Sequence, residues 1–320
     1  MIGELAQDGR LDQGAAEMIA LARALAAEVS AALIGEAESA AAAIAAGADR
    51  AYLIDGAGEV ADGGRDAQLQ CYEQVCRQYL PGIVLLSRTD AGSEIGPRLA
   101  ARLDAALAQD CTSVGLEGDG RLTAVRPVYG GNAVARVSFP DDRPAVITVR
   151  GNAYDPLEPD PSRPGEVTGV RPSLDPGRLR VRSVRLVRQE AAGISLEDAA
   201  VVIGGGRGLG GPEPFEQLRE LAGALGGAVG ASRAACDAGW IDHSYQVGLT
   251  GKTITPDLYI TFGISGASQH IAGCSGAKNI VAVNTDERAS IFRDARYGIV
   301  GDWKAVLPAF LAAVTDLRGG

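Results

Sequence analysis

Three stretches in the last third of the chain carry residue types suited to holding phosphates and electron-rich rings. In IGGGRGLGG (203–211), Gly206, Gly208 and Gly211 satisfy G-x-G-x-x-G between an apolar run and the amphipathic PFEQLRELAGAL. With that spacing a strand–turn–helix unit presents backbone N–H groups to a dinucleotide; tight turns without a ligand are the plainer alternative. A NAD-type site also needs an acid at the end of the next strand for the ribose hydroxyls, and there the chain reads Gly230-Ala231-Ser232-Arg233. A cation beside a serine suits a phosphate or an electron-rich ring better than a diol, which disfavours an ordinary NAD site. In GISGASQHIAG (263–273) small residues run into a helix, with Ser265 expected as its N-cap and Gln269 and His270 in its first turns, beside the free N–H groups that favour a pyrophosphate. In YQVGLTGKTITP (245–256) glycines bring backbone close and Thr250 adds a hydroxyl.

The rest of the titratable inventory points the same way. His243 and His270 are the chain's two histidines, too few for a His-rich metal centre. The five cysteines (Cys71, Cys76, Cys111, Cys236 and Cys274) are scattered, contain no C-x2-C pair and read as buried packing. Chemistry on this chain is therefore expected to arrive with a cofactor.

These stretches need elements to position them. Length 320 suggests two domains, and 46% hydrophobic with 22% charged residues excludes a disordered chain. No stretch approaches the roughly 18 apolar residues of a spanning helix. Net charge −10 argues against a sequence-independent nucleic-acid binder. MIGELAQDGR shows no secretory signal, so the expected location is cytoplasmic. From Ile2 to about Ala108, SAALIG (30–35), ADRAYLID (48–55) and GIVLLS (82–87) alternate with helical stretches, which predicts a parallel α/β sheet. From Cys111 to Arg150, RLTAVRPVY, AVARVSF and PAVITVR predict antiparallel strands forming an edge or arm.

Residues 155–177 hold six of the fifteen prolines and predict an extended connector within a domain spanning 1–190, followed by a second domain over 191–320. RLRVRSVRLVRQ (178–189), with five arginines, reads as a solvated strand face, with a basic partner-binding stripe as the alternative. The second domain repeats the rhythm as a doubly wound α/β unit, with strands at AAVVIG, GAVGAS, DLYITFG, NIVAVN and YGIVGD and a long loop from Arg233 to Pro256. Ligands of such sheets sit at the carboxyl ends of the strands, where Gly204, Ser232, Gly263, Asn284 and Asp302 lie.

The ordered series GGRGLGG, GASRAACDAGW, QVGLTGK, LYITFGISGASQHIAG, IVAVNTDERASIF and YGIVGDW closely resembles the FAD-binding domain of the electron transfer flavoprotein alpha subunit, and RPVYGGNAVA and PAVITVRGNAYDP extend the resemblance over nearly the whole chain. The resemblance implies a heterodimer with a beta subunit, which could carry AMP or a second FAD. It also implies FAD on the second domain and single-electron transfer from dehydrogenases, such as those of fatty acid β-oxidation, to a quinone oxidoreductase of the respiratory chain. No bond-making catalytic residue is implied.

Carried over position by position, Arg207 and Ser232 meet the phosphate and ribityl region, and Arg233 lies against the isoalloxazine. Thr250 bonds near flavin N5, in a pocket shaped by the backbone of Gln246, Val247, Gly248 and Leu249. Ser265, Gly266, Ala267 and Gln269 hold the pyrophosphate and nearby ribityl groups, His270 approaches flavin O2, and Asn284 and Asp302 fix the adenosine end. Reduction puts negative charge on the N1–C2=O2 edge, where Arg233 and His270 would stabilise it. Leu249 departs from the family, which commonly has glutamine there. The first domain is expected to pack on the beta subunit, leaving the FAD domain to swivel on the connector. Other readings are an NADH-linked electron-bifurcating relative, a nucleotide-binding or sensory module whose flavin is structural, and an NAD dehydrogenase, which the missing acid disfavours.

Overall fold

The computed structural model describes residues 1–320 except 7–8, 57–59, 61–62, 132, 182–193, 198 and 320. By its contacts the chain divides into Met1–Val128 with Val134–Arg188, and Tyr129–Ala133 with Gln189–Gly320.

In the first unit, β1 (Ile2–Gly3), α1 (Gln13–Leu25), β2 (Ser30–Ile34), α2 (Ala37–Ala45) and β3 (Arg50–Ile54) form the expected parallel crossovers. They are followed by α3 (Gly64–Tyr79), β4 (Ile83–Ser87), α4 (Asp90–Leu103), β5 (Ala106–Cys111), β6 (Ser113–Leu116), β7 (Leu122–Val128), β8 (Ala133–Ser138), β9 (Ala145–Val149) and β10 (Glu166–Val170). The sheet orders are β1-β2-β3-β10, β4-β9-β5 and β6-β7-β8. Only the last has the expected antiparallel arm, seen in the β6–β7 pairing. PAVITVR is not part of it: β9 lies between β4 and β5, parallel to both. All five of its residues are buried, as in a central strand covered on both faces, and that is why it lacks the in–out period of an arm strand.

The expected connector over 155–177 is also corrected. β10 pairs in parallel with β3, and Asp160 donates its N–H to Ala45 at 2.9 Å. Helix α3 then grips the chain beyond. Gln74 exchanges two hydrogen bonds with the Ser173 backbone and Gln70 two with Asp175, Glu73 pairs Arg178 at 2.6 Å, and Asp66 accepts from the Arg180 N–H at 2.8 Å. An edge strand held through its backbone needs no apolar alternation, so composition alone reads it as loop. Of the arginine-rich RLRVRSVRLVRQ, positions 182–189 lie outside the described residues.

In the second unit β11 (Val201–Gly205), α5 (Pro214–Leu225), β12 (Ala228–Ala231), α6 (Arg233–Asp237), β13 (Leu258–Phe262), α7 (Ser268–Cys274), β14 (Ile280–Asn284), β15 (Tyr297–Val300) and α8 (Trp303–Gly319) follow in order. All five strands predicted from sequence are present, parallel, in the order β12-β11-β13-β14-β15. Val202 and Tyr259 face one core with Val247, Ile254 and Ile264; Ile203, Ile260 and Phe262 face another with Phe215 and Leu218. Burial on both faces explains the unbroken apolar runs. Strand order reverses between β11 and β13, and the crevice beyond their carboxyl ends is where such sheets bind ligands. All five cysteines are buried free thiols, and burial pushes Cys71, Cys76, Cys111 and Cys236 up to about 11.

Candidate functional site

A cavity of roughly 650 Å³ opens at the carboxyl ends of β11, β12, β13 and β14, within the usual size of cofactor pockets. Fourteen of the fifteen residues singled out from sequence line it, and the exception is Asp302. The Asp302 carboxylate instead accepts from the Lys304 N–H at 3.0 Å, at the start of α8.

The glycine-rich turn holds the backbone together and presents few donors. Gly206 donates its N–H to the Phe262 carbonyl at 2.9 Å and Gly208 to the Gly263 carbonyl at 3.0 Å, so neither N–H is left for a phosphate. A Cβ on Gly206 would meet the Gly263 carbonyl and lie 2.7 Å from Ile264 Cα. The motif therefore lets two strand-end turns touch. Arg207, exposed on its 3₁₀ turn, is the part of this motif with a charge to offer the cavity.

The anion-binding donors come from the second stretch. No hydrogen bond among the described residues uses the backbone N–H of Ile264, Ser265, Gly266 or Ala267, and all four residues line the cavity. Such a run of free donors is a cradle for a phosphate. The expected N-cap at Ser265 is corrected: the cap is Ala267, and Ser265 instead accepts the Ile291 N–H on its carbonyl at 3.0 Å. A side-chain cap is absent because the turn runs two residues further before α7 starts. Gln269 is exposed and takes the Leu249 N–H on its carbonyl at 2.7 Å. Asn284 spans the far wall, its amide donating to Ile264 O and accepting from Asp286 N.

On the opposite wall Ser232 is the N-cap of α6, yet its hydroxyl makes no cap bond, and Arg233 begins that helix. Arg233 is 69% exposed and its Nε reaches Asp237 Oδ2 at 3.2 Å. Gln246 bridges in parallel to Ala231, with the Val247 N–H donated to Ala231 O at 2.9 Å, extending the sheet edge, and the turn that follows returns Lys252 N–H to Gln246 O at 2.7 Å. The long loop expected from Arg233 to Pro256 is thus partly ordered, by α6 and a 3₁₀ turn at His243–Tyr245. Gly248, Leu249 and Thr250 border the cavity; Leu249 is 66% exposed and Thr250 Oγ1 accepts from Gln246 Nε2 at 3.0 Å. Asp237 escaped the sequence reading, although its position four residues after Arg233 on a helix was the available signal.

His270 is buried at 7% exposure, with Nε2 3.0 Å from the Tyr259 hydroxyl. Its buried Nδ1 has no partner of hydrogen-bonding geometry. Burial lowers its pKa from 6.5 to about 4, against an opposing pull from the Val247 backbone, so the ring is neutral near pH 7. The unfolded chain binds the extra proton between those two values. Stability is complete above about 6.5 and falls as pH drops towards 4, by about 3 kcal/mol. Chemical unfolding at pH 7 and pH 5 is expected to show about 2 kcal/mol of this loss for the native chain and a flatter profile for His270→Gln.

A doubly wound parallel sheet with a donor-lined cavity at its switch point defines a nucleotide-cofactor-binding α/β protein. Residues 1–175 match the electron transfer flavoprotein domain and residues 195–275 the electron transfer flavoprotein FAD-binding domain. The electron transfer flavoprotein subunit alpha of Megasphaera elsdenii is 40% identical, covering 98% of this chain and 95% of its own length. That of Bacillus subtilis strain 168 is 44% identical over 76% and 74%, and the protein FixB of Bradyrhizobium diazoefficiens is 38% identical over 83% and 72%. The chain belongs to the electron transfer flavoprotein alpha-subunit family, binds FAD and works in electron transfer. Members of that family work as heterodimers with a beta subunit. Among the described residues no helix is long and apolar enough to cross a membrane.

The residues present fit the flavin nucleotide. An unpartnered buried imidazole nitrogen, four unused backbone N–H groups and two arginines at one cavity match an anionic, hydrogen-bonding ligand.

Proposed function

We propose that FAD lies along this cavity with its pyrophosphate on the Ile264–Ala267 donors and its isoalloxazine between Arg233 and the Gln246–Thr250 turn. What supports this most is the convergence of fourteen sequence-selected residues on one cavity. Bound FAD takes up and returns electrons, and the protein supplies binding, orientation and electrostatics. Arg207 and the Ser232 hydroxyl hold the phosphate and ribityl region. Gln269 borders the same region, and Asn284 holds the adenosine end by fixing the Ile264 and Asp286 backbones.

Arg233 supplies positive charge at the edge where reduction places negative charge. Neutral His270 adds a donor without a charge. Gln246 donates to Thr250 Oγ1 and so leaves the Thr250 hydrogen to point at flavin N5. Leu249 brings no polar atom, so Thr250 is the donor on that stretch. Val247 and Gly248 hold the turn against α7. Asp302, off the cavity wall, acts on the adenosine end only through the backbone it caps.

In this reading the chain pairs with a beta subunit and carries electrons in the cytoplasm, from flavin dehydrogenases to a quinone oxidoreductase. An absorbance spectrum and stepwise dithionite titration of the heterodimer test it. One FAD per heterodimer, taking up electrons singly, is expected. Two flavins reduced by NADH would replace the simple carrier with a bifurcating one, and absence of flavin would overturn the cofactor placement.

A further inference from the structure

The second histidine connects two groups on the cavity wall. Arg233 Nε meets Asp237 Oδ2 at 3.2 Å, and Asp237 Oδ1 faces His243 Nε2 at 4.0 Å. His243 Nδ1 lies 3.3 Å from Gln246 Oε1, and Gln246 Nε2 donates to Thr250 Oγ1 at 3.0 Å. The chain of contacts thus starts at the cation proposed to face the flavin and ends at the hydroxyl proposed to face N5. Its middle member is 66% exposed and reachable by protons, whereas Gln246 is only 5% exposed and held by its backbone on both sides.

The chemistry of the middle member sets the direction of its influence. Gln246 can present only its oxygen to His243 while its nitrogen serves Thr250, so Nδ1 carries a hydrogen in either charge state. In the neutral ring the Nε2 lone pair then faces the Asp237 carboxylate. In the imidazolium the same nitrogen carries N–H and positive charge, and repulsion becomes attraction. We propose that His243 is a pH-dependent positioning residue for the flavin site: its protonation draws Asp237 away from Arg233, freeing the guanidinium for the flavin edge, and tightens the hold of Gln246 on Thr250.

The groups packed around His243 leave that role to it. Helix α6 contributes Arg233, Asp237 and Cys236, whose Sγ lies 3.7 Å from the Asp242 carbonyl and whose thiol burial keeps protonated. Its own turn contributes Asp242, which caps Ser244 N at 2.8 Å, and Tyr245. Strand β12, which also packs against this turn, offers only Ala228–Ala231. His243 itself is off the cavity wall, so its effect must pass through Asp237 and Gln246.

This inference rests on FAD occupying the cavity as proposed above, and the experiment separates the two. The FAD-loaded heterodimer is titrated reductively from pH 5.5 to 8.5, comparing the native chain with His243→Asn and Asp237→Asn, and the ring 15N resonances of His243 are followed over the same range. The native protein is expected to gain roughly fivefold in its equilibrium constant for one-electron uptake as the ring protonates, the low end of coupling between sites. This gain should be beyond any pH dependence shared with the variants and have the midpoint of the His243 resonances. Both variants should retain stoichiometric flavin and lose the step. Parallel profiles with flavin bound in all three proteins would overturn the role of His243. Failure of the native heterodimer to hold flavin would overturn the cofactor placement, and the inference with it.

Discussion

Gly266→Ala is expected to yield a heterodimer that folds but purifies with almost no flavin, its affinity for added FAD down at least a hundredfold. Gly266 sits at φ +77°, in the left-handed region, and a Cβ there would land on the backbone of Ile291, 2.5 Å from its Cα. That backbone cannot simply yield, because the Ile291 N–H is bonded to Ser265 O. Relief must come from the turn carrying the unused N–H groups of Ile264, Ser265 and Ala267, the donors proposed for the pyrophosphate. Displacing three or four charge-assisted hydrogen bonds, each contributing about 1.5–3 kcal/mol, easily accounts for a hundredfold loss. Gly210→Ala is the control: Gly210 has φ +86° with nothing within 4 Å of a new Cβ, so only backbone strain of about 1–2 kcal/mol is added. It should lower the melting temperature while flavin stoichiometry stays at one. Flavin-to-protein absorbance ratios and calorimetric FAD titration decide the matter, and equal flavin content in the two variants would remove the Ile264–Ala267 cradle from the site.

The contrast between those glycines shows how far the sequence could be read. Spacing placed all five strands of the second unit, because runs such as VVIGG and LYITF are buried on both faces and flanked by turn residues. The same logic misassigned PAVITVR, since an apolar run reveals burial but not which strands lie beside it. β10 was missed for the opposite reason: an edge strand paired through its backbone leaves almost no hydrophobic pattern. At the site, residue types pointed to one crevice and to two stretches as sources of backbone donors, and hydrogen bonding narrows what the first of them can offer. Gly206 and Gly208 looked like the phosphate donors, yet their N–H groups go to Phe262 and Gly263. Whether a backbone donor is free depends on what the neighbouring strand end offers, and that is a tertiary fact. The contact between Arg233 and Asp237 was readable from helical spacing, whereas the link onward to His243 and Gln246 required the fold of the intervening turn.

Arg233→Glu is expected to give the largest change in the flavin's redox behaviour without disturbing the fold. The side chain is mostly exposed and its ion pair to Asp237 is a surface i,i+4 contact worth a few tenths of a kcal/mol, so thermal stability should move by little. The charge matters to the cofactor instead. Two unit charges about 4 Å apart interact by about 1 kcal/mol in water and about 4 at an effective dielectric of 20, and a guanidinium at the rim of a flavin-filled cavity falls between. Arg233→Ala should therefore lower the equilibrium yield of the anionic one-electron-reduced flavin roughly ten- to a hundredfold. Arg233→Glu, which also places a second carboxylate beside Asp237, should suppress it further. Arg233→Lys restores the charge but not the planar fork that can lie against a ring, so it should recover part of the yield. Dithionite titrations followed at the absorbance of the anionic form, with melting curves of each variant, test the series. If the yield of the charge-reversed protein matched that of the native one, the positive charge at 233 would have no part in stabilising the reduced flavin, and the field at the N1–C2=O2 edge would have to come from backbone donors and His270 alone.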